Sequence, residues 1–165
     1  PALTVTQNPP DITCTTTSVS ISGLSSVPGV TYSWQKLSGT ATITNPTLAT
    51  ASVNAAGDFR LTVTAPNGCT NTGDVTVGDD LTAPNLTLPA VDDNELTCNQ
   101  TTVLLNGSST TPNVLYSWST LVAGATIVNG NSPTPSVDKT GNYTLLVTNP
   151  VNGCTTTATT TASAT

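Results

Sequence analysis

Hydrophobic and polar residues alternate with a period of two along most of this chain. The clearest run is Gly57–Thr64, where Phe59, Leu61 and Val63 fall on one side and Asp58, Arg60 and Thr62 on the other. Alternation of this kind marks a half-buried β-strand. A Pro-Asn-Gly turn and Cys69 follow it, so the stretch predicts a β-hairpin with a cysteine at its tip. The same unit returns at Gly141–Thr148, with Tyr143, Leu145 and Val147 on the apolar side and Cys154 after the turn.

The recurrence extends over the whole chain. Cys14, Tyr32, Ser33, Trp34, Gly57 and Phe59 match Cys98, Tyr116, Ser117, Trp118, Gly141 and Tyr143, all displaced by 84 positions. One extra residue near Val151 places Cys154 at a displacement of 85 from Cys69. A fixed period means tandem units, here residues 1–81 and 82–165. In the first copy Leu3–Val5, Ser18–Ile21, Val30–Gln35, Thr40–Thr44, Ala51–Asn54, Gly57–Thr64 and Thr70–Val77 read as strands. In the second, Thr102–Leu105, Val114–Ser119, Ala125–Val128, Ser136–Asp138, Asn142–Thr148 and Thr155–Thr161 do. About seven short strands per copy, with turns every eight to twelve residues, predict an all-β chain of two tandem antiparallel β-sandwich domains. Trp34 and Trp118 are the expected core centres.

Composition supports strands over helices. Only 7 % of residues are charged, and the polar positions are carried by Thr, Ser and Asn. Thr and Val lose rotamer freedom in helices and suit pleated surfaces. The net charge of −6, with only Lys36, Arg60 and Lys139 positive, removes the basic footprint that nucleic acid or an anionic membrane surface requires. No apolar run approaches the length of a membrane-spanning helix. The chain begins at Pro1 without a signal-like segment and reads as a mature fragment of something longer.

Catalytic chemistry finds little footing. The chain has no histidine, which excludes imidazole-based triads and imidazole metal ligands. No phosphate-binding glycine loop is present. The reading is of a non-enzyme without catalytic or cofactor-binding residues. The acids do cluster: Asp79, Asp80, Asp92, Asp93 and Glu95 lie around the boundary between the copies. Carboxylates gathered at a joint are candidate Ca²⁺ ligands; the alternative is a solvated acidic linker.

The four cysteines, Cys14, Cys69, Cys98 and Cys154, admit three pairings. They are too widely spaced for a zinc site. A disulfide framework is expected, which places the chain in an oxidising compartment. Repeat logic favours Cys14–Cys69 and Cys98–Cys154, one bond inside each copy. A loop of about 55 residues closed in this way would add roughly 4 kcal/mol. Cys69 falls after the turn, and the strand before it carries Leu61 and Val63 where an antibody domain would have its cysteine.

Taken together, Ile12–Cys14, Pro28–Trp34, Ala41–Ile43, Gly57–Thr64 and Asn67–Thr70, with Leu96–Cys98, Tyr116–Trp118, Ala125–Ile127, Gly141–Thr148 and Asn152–Thr155 in the second copy, carry a resemblance. The pattern is similar to the immunoglobulin-like, PKD-like repeats of large secreted surface adhesins and gliding-motility proteins of Bacteroidetes-type bacteria. The resemblance implies an extracellular or cell-surface spacer segment whose partners are neighbouring modules of the same array. Two alternatives stand beside it: a module that binds a protein or glycan, and the subunit of a polymeric extracellular filament.

Overall fold

The computed structural model describes residues 1–89 and 95–165. It divides into two compact units, Pro1–Leu81 and Thr82–Thr165. Among the described residues there is no helix; every regular element is a strand.

In the first unit β1 (Thr4–Val5), β3 (Val19–Leu24), β6 (Thr50–Val53) and β5 (Ile43–Thr44) form one sheet, in the order β1-β3-β6-β5. Facing it is β4 (Thr31–Lys36), β7 (Gly57–Thr64) and β8 (Thr70–Val77), in the order β4-β7-β8. Two short strands, β2 (Ile12–Thr13) and β9 (Asp79–Asp80), pair in parallel at the end of β8. Four strands against three, with these neighbours, is the strand arrangement of an immunoglobulin-like sandwich. The period of two explains the layering. On β7, Phe59, Leu61 and Val63 are fully buried and alternate with half-buried neighbours. They pack with Ile21 and Val53 from the opposite sheet and with Trp34, Val75 and Val77 from their own. Each large side chain so buried stabilises the fold by about 1.5–3 kcal/mol.

The second unit repeats the plan. β12 (Leu115–Thr120), β15 (Gly141–Thr148) and β16 (Thr155–Ala164) form one sheet, to which β10 (Glu95–Leu96) adds in parallel at the far end of β16. The opposing sheet holds β11 (Val103–Leu104), β14 (Ser136–Val137) and β13 (Ile127–Val128). Its ladder is shorter than in the first unit for an identifiable reason. Where the first copy has Ala49 and Ala51, the second has Pro133 and Pro135. Proline lacks the backbone donor a ladder needs. The carbonyls survive as acceptors: Leu105 N–H donates to Pro135 and Gly107 N–H to Pro133, both at 2.9 Å.

Trp34 and Trp118 are buried, and each indole N–H is satisfied. Trp34 donates to the Leu48 carbonyl and Trp118 to that of Ser132, both at 3.1 Å. One backbone device also recurs. Asn45 and Asn129 each hold φ near +59° in the turn before that carbonyl, a conformation Asn tolerates better than most residues.

A feature hidden in the sequence stands at the centre of each sandwich. In antibody domains a disulfide joins the two sheets beside the buried Trp. Here Leu61 occupies that space from β7 and meets Gly23 on β3; a methyl group added at Gly23 would overlap the Leu61 side chain. Leu145 and Gly107 repeat the arrangement. A leucine fitted against a glycine replaces the cross-sheet bond. The residue two before that leucine also follows the immunoglobulin pattern. The Tyr143 hydroxyl donates to the Lys139 carbonyl at 2.7 Å, the geometry of a tyrosine corner. Burial pushes the Tyr143 hydroxyl up from its ordinary pKa. Phe59 holds the same core position in the first unit without a hydroxyl.

Candidate functional site

The cysteines are the residues on which a functional reading turns, and their turns are built from local chemistry. Cys14 follows β2 in a four-residue turn. Thr13 N–H donates to the Thr16 carbonyl, and the Thr13 hydroxyl accepts from Thr16 N–H, both at 2.9 Å. Cys98 has the same setting: Thr97 N–H donates to the Gln100 carbonyl at 3.0 Å, and the Thr97 hydroxyl accepts from Gln100 N–H at 2.9 Å. A threonine hydroxyl standing in for a backbone acceptor is a recurrent turn device.

Cys69 and Cys154 occupy the other kind of turn, between β7 and β8 and between β15 and β16. Ala65 N–H donates to the Cys69 carbonyl at 2.8 Å, and the Asn67 side-chain oxygen accepts from Cys69 N–H at 3.1 Å. In the second copy Asn149 N–H donates to the Cys154 carbonyl, and Asn152 accepts from Cys154 N–H, both at 2.9 Å. Gly68 and Gly153 take positive φ, 82° and 72°, to complete the reversals. The backbone hydrogen bonds repeat, but the surroundings differ. Cys154 and Asn152 are buried and the Asn152 amide donates to the Thr82 carbonyl at 2.9 Å, whereas Cys69 and Asn67 are exposed.

The expected pairings Cys14–Cys69 and Cys98–Cys154 are not formed. Cys69 and Cys98 are free and exposed, while Cys14 and Cys154 are disulfide-bonded. Strand register gives the reason. Thr13 pairs with Asp80, beyond the C-terminal end of β8, whereas Cys69 immediately precedes the first residue of β8. A strand rises about 3.3 Å per residue, so the two cysteines lie on the order of 30 Å apart. A disulfide needs Cα atoms within about 7 Å. The second unit has the same separation. Leu96 pairs with Ala164 at the far end of β16, and Cys154 immediately precedes its start. Each module therefore carries one cysteine at each pole, and neither can close on the other.

The acids fall out differently from the expected junction loop. Asp79 and Asp80 form β9, and Glu95 begins β10. Adjacent strand residues point to opposite faces, so Asp79 and Asp80 do not converge on one ion. Asp92 and Asp93 lie outside the described residues. Among the described residues no group of three or more His, Cys, Asp or Glu side chains is arranged to hold a metal.

The acids with displaced pKa values lie elsewhere. Hydrogen bonds from the Thr76 and Ser38 hydroxyls hold Asp58 below the usual carboxylate range. The Arg60 guanidinium does the same for Asp74, reaching both of its oxygens at 2.7 Å. Asp138 is lowered chiefly by the Thr126 backbone N–H, 2.7 Å away. All three lie at the surface, Asp74 exposed and Asp58 and Asp138 half-buried, and their hydrogen bonds serve the sheets. Two open hollows, about 530 and 410 Å³, flank β12. They are lined by Ser119, Asn142, Thr144 and Thr159 in one case and by Leu115, Ser117 and Thr148 in the other. Among the described residues that line them there is no carboxylate, amine or thiol; Tyr116 borders the second.

No family model matches the chain, and no curated protein does. Solved structures with a similar chain path do exist. Extracellular domains 3–5 of Drosophila OTK match at 13 % identity and a TM-score of 0.42, over 99 % of this chain and 62 % of that one. The first two immunoglobulin domains of DIP-gamma match at 9 % identity and 0.44, over 99 % and 98 %. Hemolin, an insect immune protein, matches at 15 % identity and 0.41, over 90 % and 43 %. The chain thus spans less than two thirds of the OTK fragment. The strand order and the paired sheets, not these likenesses, assign the immunoglobulin-like fold.

Proposed function

We propose that the chain is a spacer segment of an extracellular, cell-surface array of the adhesin type, with residues 1–81 and 82–165 as its two repeating modules. The observation that carries this reading is where the chain enters and leaves each sandwich. At the start of the first unit the Asn71 amide donates to the Pro1 carbonyl, beside the hairpin tip. The chain leaves through β9, past the far end of β8. In the second unit the Thr156 hydroxyl donates to the Pro84 carbonyl at the tip, and Thr165 N–H donates to the Leu96 carbonyl at the opposite pole. A module entered at one pole and left at the other adds its own length to whatever it is strung with. The resemblance to bacterial surface repeats, the strongly acidic, polar surface and the presence of disulfide-bonded cysteines agree with an exported location.

The proposed role is mechanical and needs neither catalysis nor a cation. Its partners are neighbouring modules of the same array. The test is twofold. Intact cells bearing the protein are treated with a membrane-impermeant maleimide; the proposal expects labelling of Cys69 or Cys98, or of both once a reductant is added, without lysis. Labelling that requires lysis would place the protein inside the cell and end the proposal. The purified chain is then screened against glycan and surface-protein arrays. Spacer function expects no saturable binding; a reproducible hit would move the assignment to a binding module.

A further inference from the structure

Cys69 and Cys98 have no role in either sandwich. Both are exposed, both are free, and both sit in turns whose shape is fixed by hydrogen bonds. A free cysteine alone would mean little. Here the repeat supplies an independent observation: the residues equivalent to them, Cys154 and Cys14, are disulfide-bonded. Each kind of turn, the hairpin tip and the threonine-held pole, therefore presents its sulfur in a geometry that makes disulfides. Of the two tip cysteines one is bonded and one is free, and the same holds for the two pole cysteines. Strand register denies each free thiol the other cysteine of its own module.

We propose that Cys98 of one copy of this chain bonds Cys69 of the next, linking copies head to tail through a pole-to-tip disulfide. The second unit offers Cys98 at the pole where the chain leaves it, and the first offers Cys69 at the pole where the chain enters. Successive copies thereby meet through unlike ends. A heterologous contact of this kind propagates from copy to copy, into open chains or rings, in contrast to a like-with-like contact that stops at a dimer. The bond forms by thiol–disulfide exchange with a small disulfide such as oxidised glutathione. The Cys98 thiolate attacks that disulfide and releases one glutathione as thiol. The Cys69 thiolate then attacks the Cys98 sulfur of the mixed disulfide and releases the second. The protein loses two thiol protons and gains one S–S bond, and one oxidised glutathione becomes two reduced ones. The linkage goes beyond the spacer reading and depends on it only for an oxidising surrounding, which the test supplies.

The purified chain, 16.6 kDa, is incubated in a glutathione redox buffer, quenched with an alkylating agent and resolved without reductant. The expected result is a ladder of multiples of the chain, collapsing to monomer on reduction, with the Cys69–Cys98 peptide pair identified by mass spectrometry. Direction is tested with two variants at exposed positions, Cys69→Ser and Cys98→Ser. Each alone stays monomeric, and their mixture gives the one mixed dimer, in clear excess over either like-with-like dimer. Three results would overturn the proposal: thiols that remain fully alkylatable with no ladder, Cys98–Cys98 or Cys69–Cys69 dimers forming as readily as the mixed one, or a Cys69–Cys98 bond inside a single chain. None of these bears on whether the protein is exported, so failure here and failure of the spacer reading remain separable.

Discussion

The two modules place the same hydrogen bonds at the same positions with different charges. On the β7–β8 pair, the Thr76 hydroxyl donates to Asp58 at 2.7 Å; on β15–β16, the Thr161 hydroxyl donates to Asn142 at 2.8 Å. The neighbouring cross-strand pair is Arg60 with Asp74 in the first module and Thr144 with Thr159 in the second. Elsewhere the exchange runs the other way: Thr42 N–H donates to Asn54, and Thr126 N–H donates to Asp138, both at 2.7 Å. What the fold requires at each point is an acceptor or a cross-strand partner, not a charge. Exposed charged pairs add little to stability, so charge drifts between copies while geometry stays. The cysteines behave in the opposite way. Their positions repeat and their bonding states do not: Cys14 and Cys154 are bonded, whereas Cys98 and Cys69 are free.

Breaking the shared core should have the largest effect and should affect both modules alike. Trp34→Ala and Trp118→Ala each remove a buried ring and its hydrogen bond, and each is expected to cost about 3–5 kcal/mol, read from denaturant unfolding followed module by module. A several-fold difference between them would mean that the two cores are not equivalent. Next come the glycine positions that face Leu61 and Leu145. Gly23→Ala and Gly107→Ala are expected to destabilise by about 1–3 kcal/mol through overpacking. Neutral outcomes would show that the leucines can retreat. Tyr143→Phe tests a device only the second module has; loss of the bond to the Lys139 carbonyl should cost about 0.5–1.5 kcal/mol, measured by thermal unfolding.

Acid should separate the modules most finely. Asp58, Asp74 and Asp138 are all held below the ordinary carboxylate pKa of about 3.9. A depressed folded pKa contributes stability that is present above the unfolded value and is lost as pH falls through the folded one. Both modules should therefore weaken below about pH 4, the first through two carboxylates and the second through one. Asp58→Asn should flatten the first module's acid dependence without changing its stability at pH 7 appreciably. Amide exchange or the indole NMR signals of Trp34 and Trp118, followed through the titration, read the modules separately. Identical acid profiles for the two would contradict the charge comparison.

Much of this architecture is legible in the chain. The period of 84 positions and the strict alternation around Phe59 and Tyr143 specify the repeat, the long strands and the core Trp residues. Three short strands escape that reading. β2, β9 and β10 are two residues each, too short to show a period, and β2 follows the Pro9-Pro10 pair that reads as an interruption. Those strands decide where the cysteines go. Without the parallel pairing of Thr13 to Asp80, Cys14 looks able to reach Cys69; with it, the two are fixed at opposite poles. The glycine facing each central leucine did leave a trace. Gly23 and Gly107 stand in phase with Val19 and Ile21 and with Val103 and Leu105, just past the runs that read as strands, and an isolated glycine that continues a strand pattern signals close approach.

The central claim is that each module holds its two cysteines at opposite ends. It is tested most directly by disulfide mapping of the non-reduced chain, alkylated, cleaved with a low-specificity protease and sequenced by mass spectrometry. Every Cys69 and Cys98 peptide should appear free or linked to another copy, and no peptide should join Cys14 to Cys69 or Cys98 to Cys154. Recovery of either of those intramodule pairs from folded protein would contradict the strand register on which this account rests.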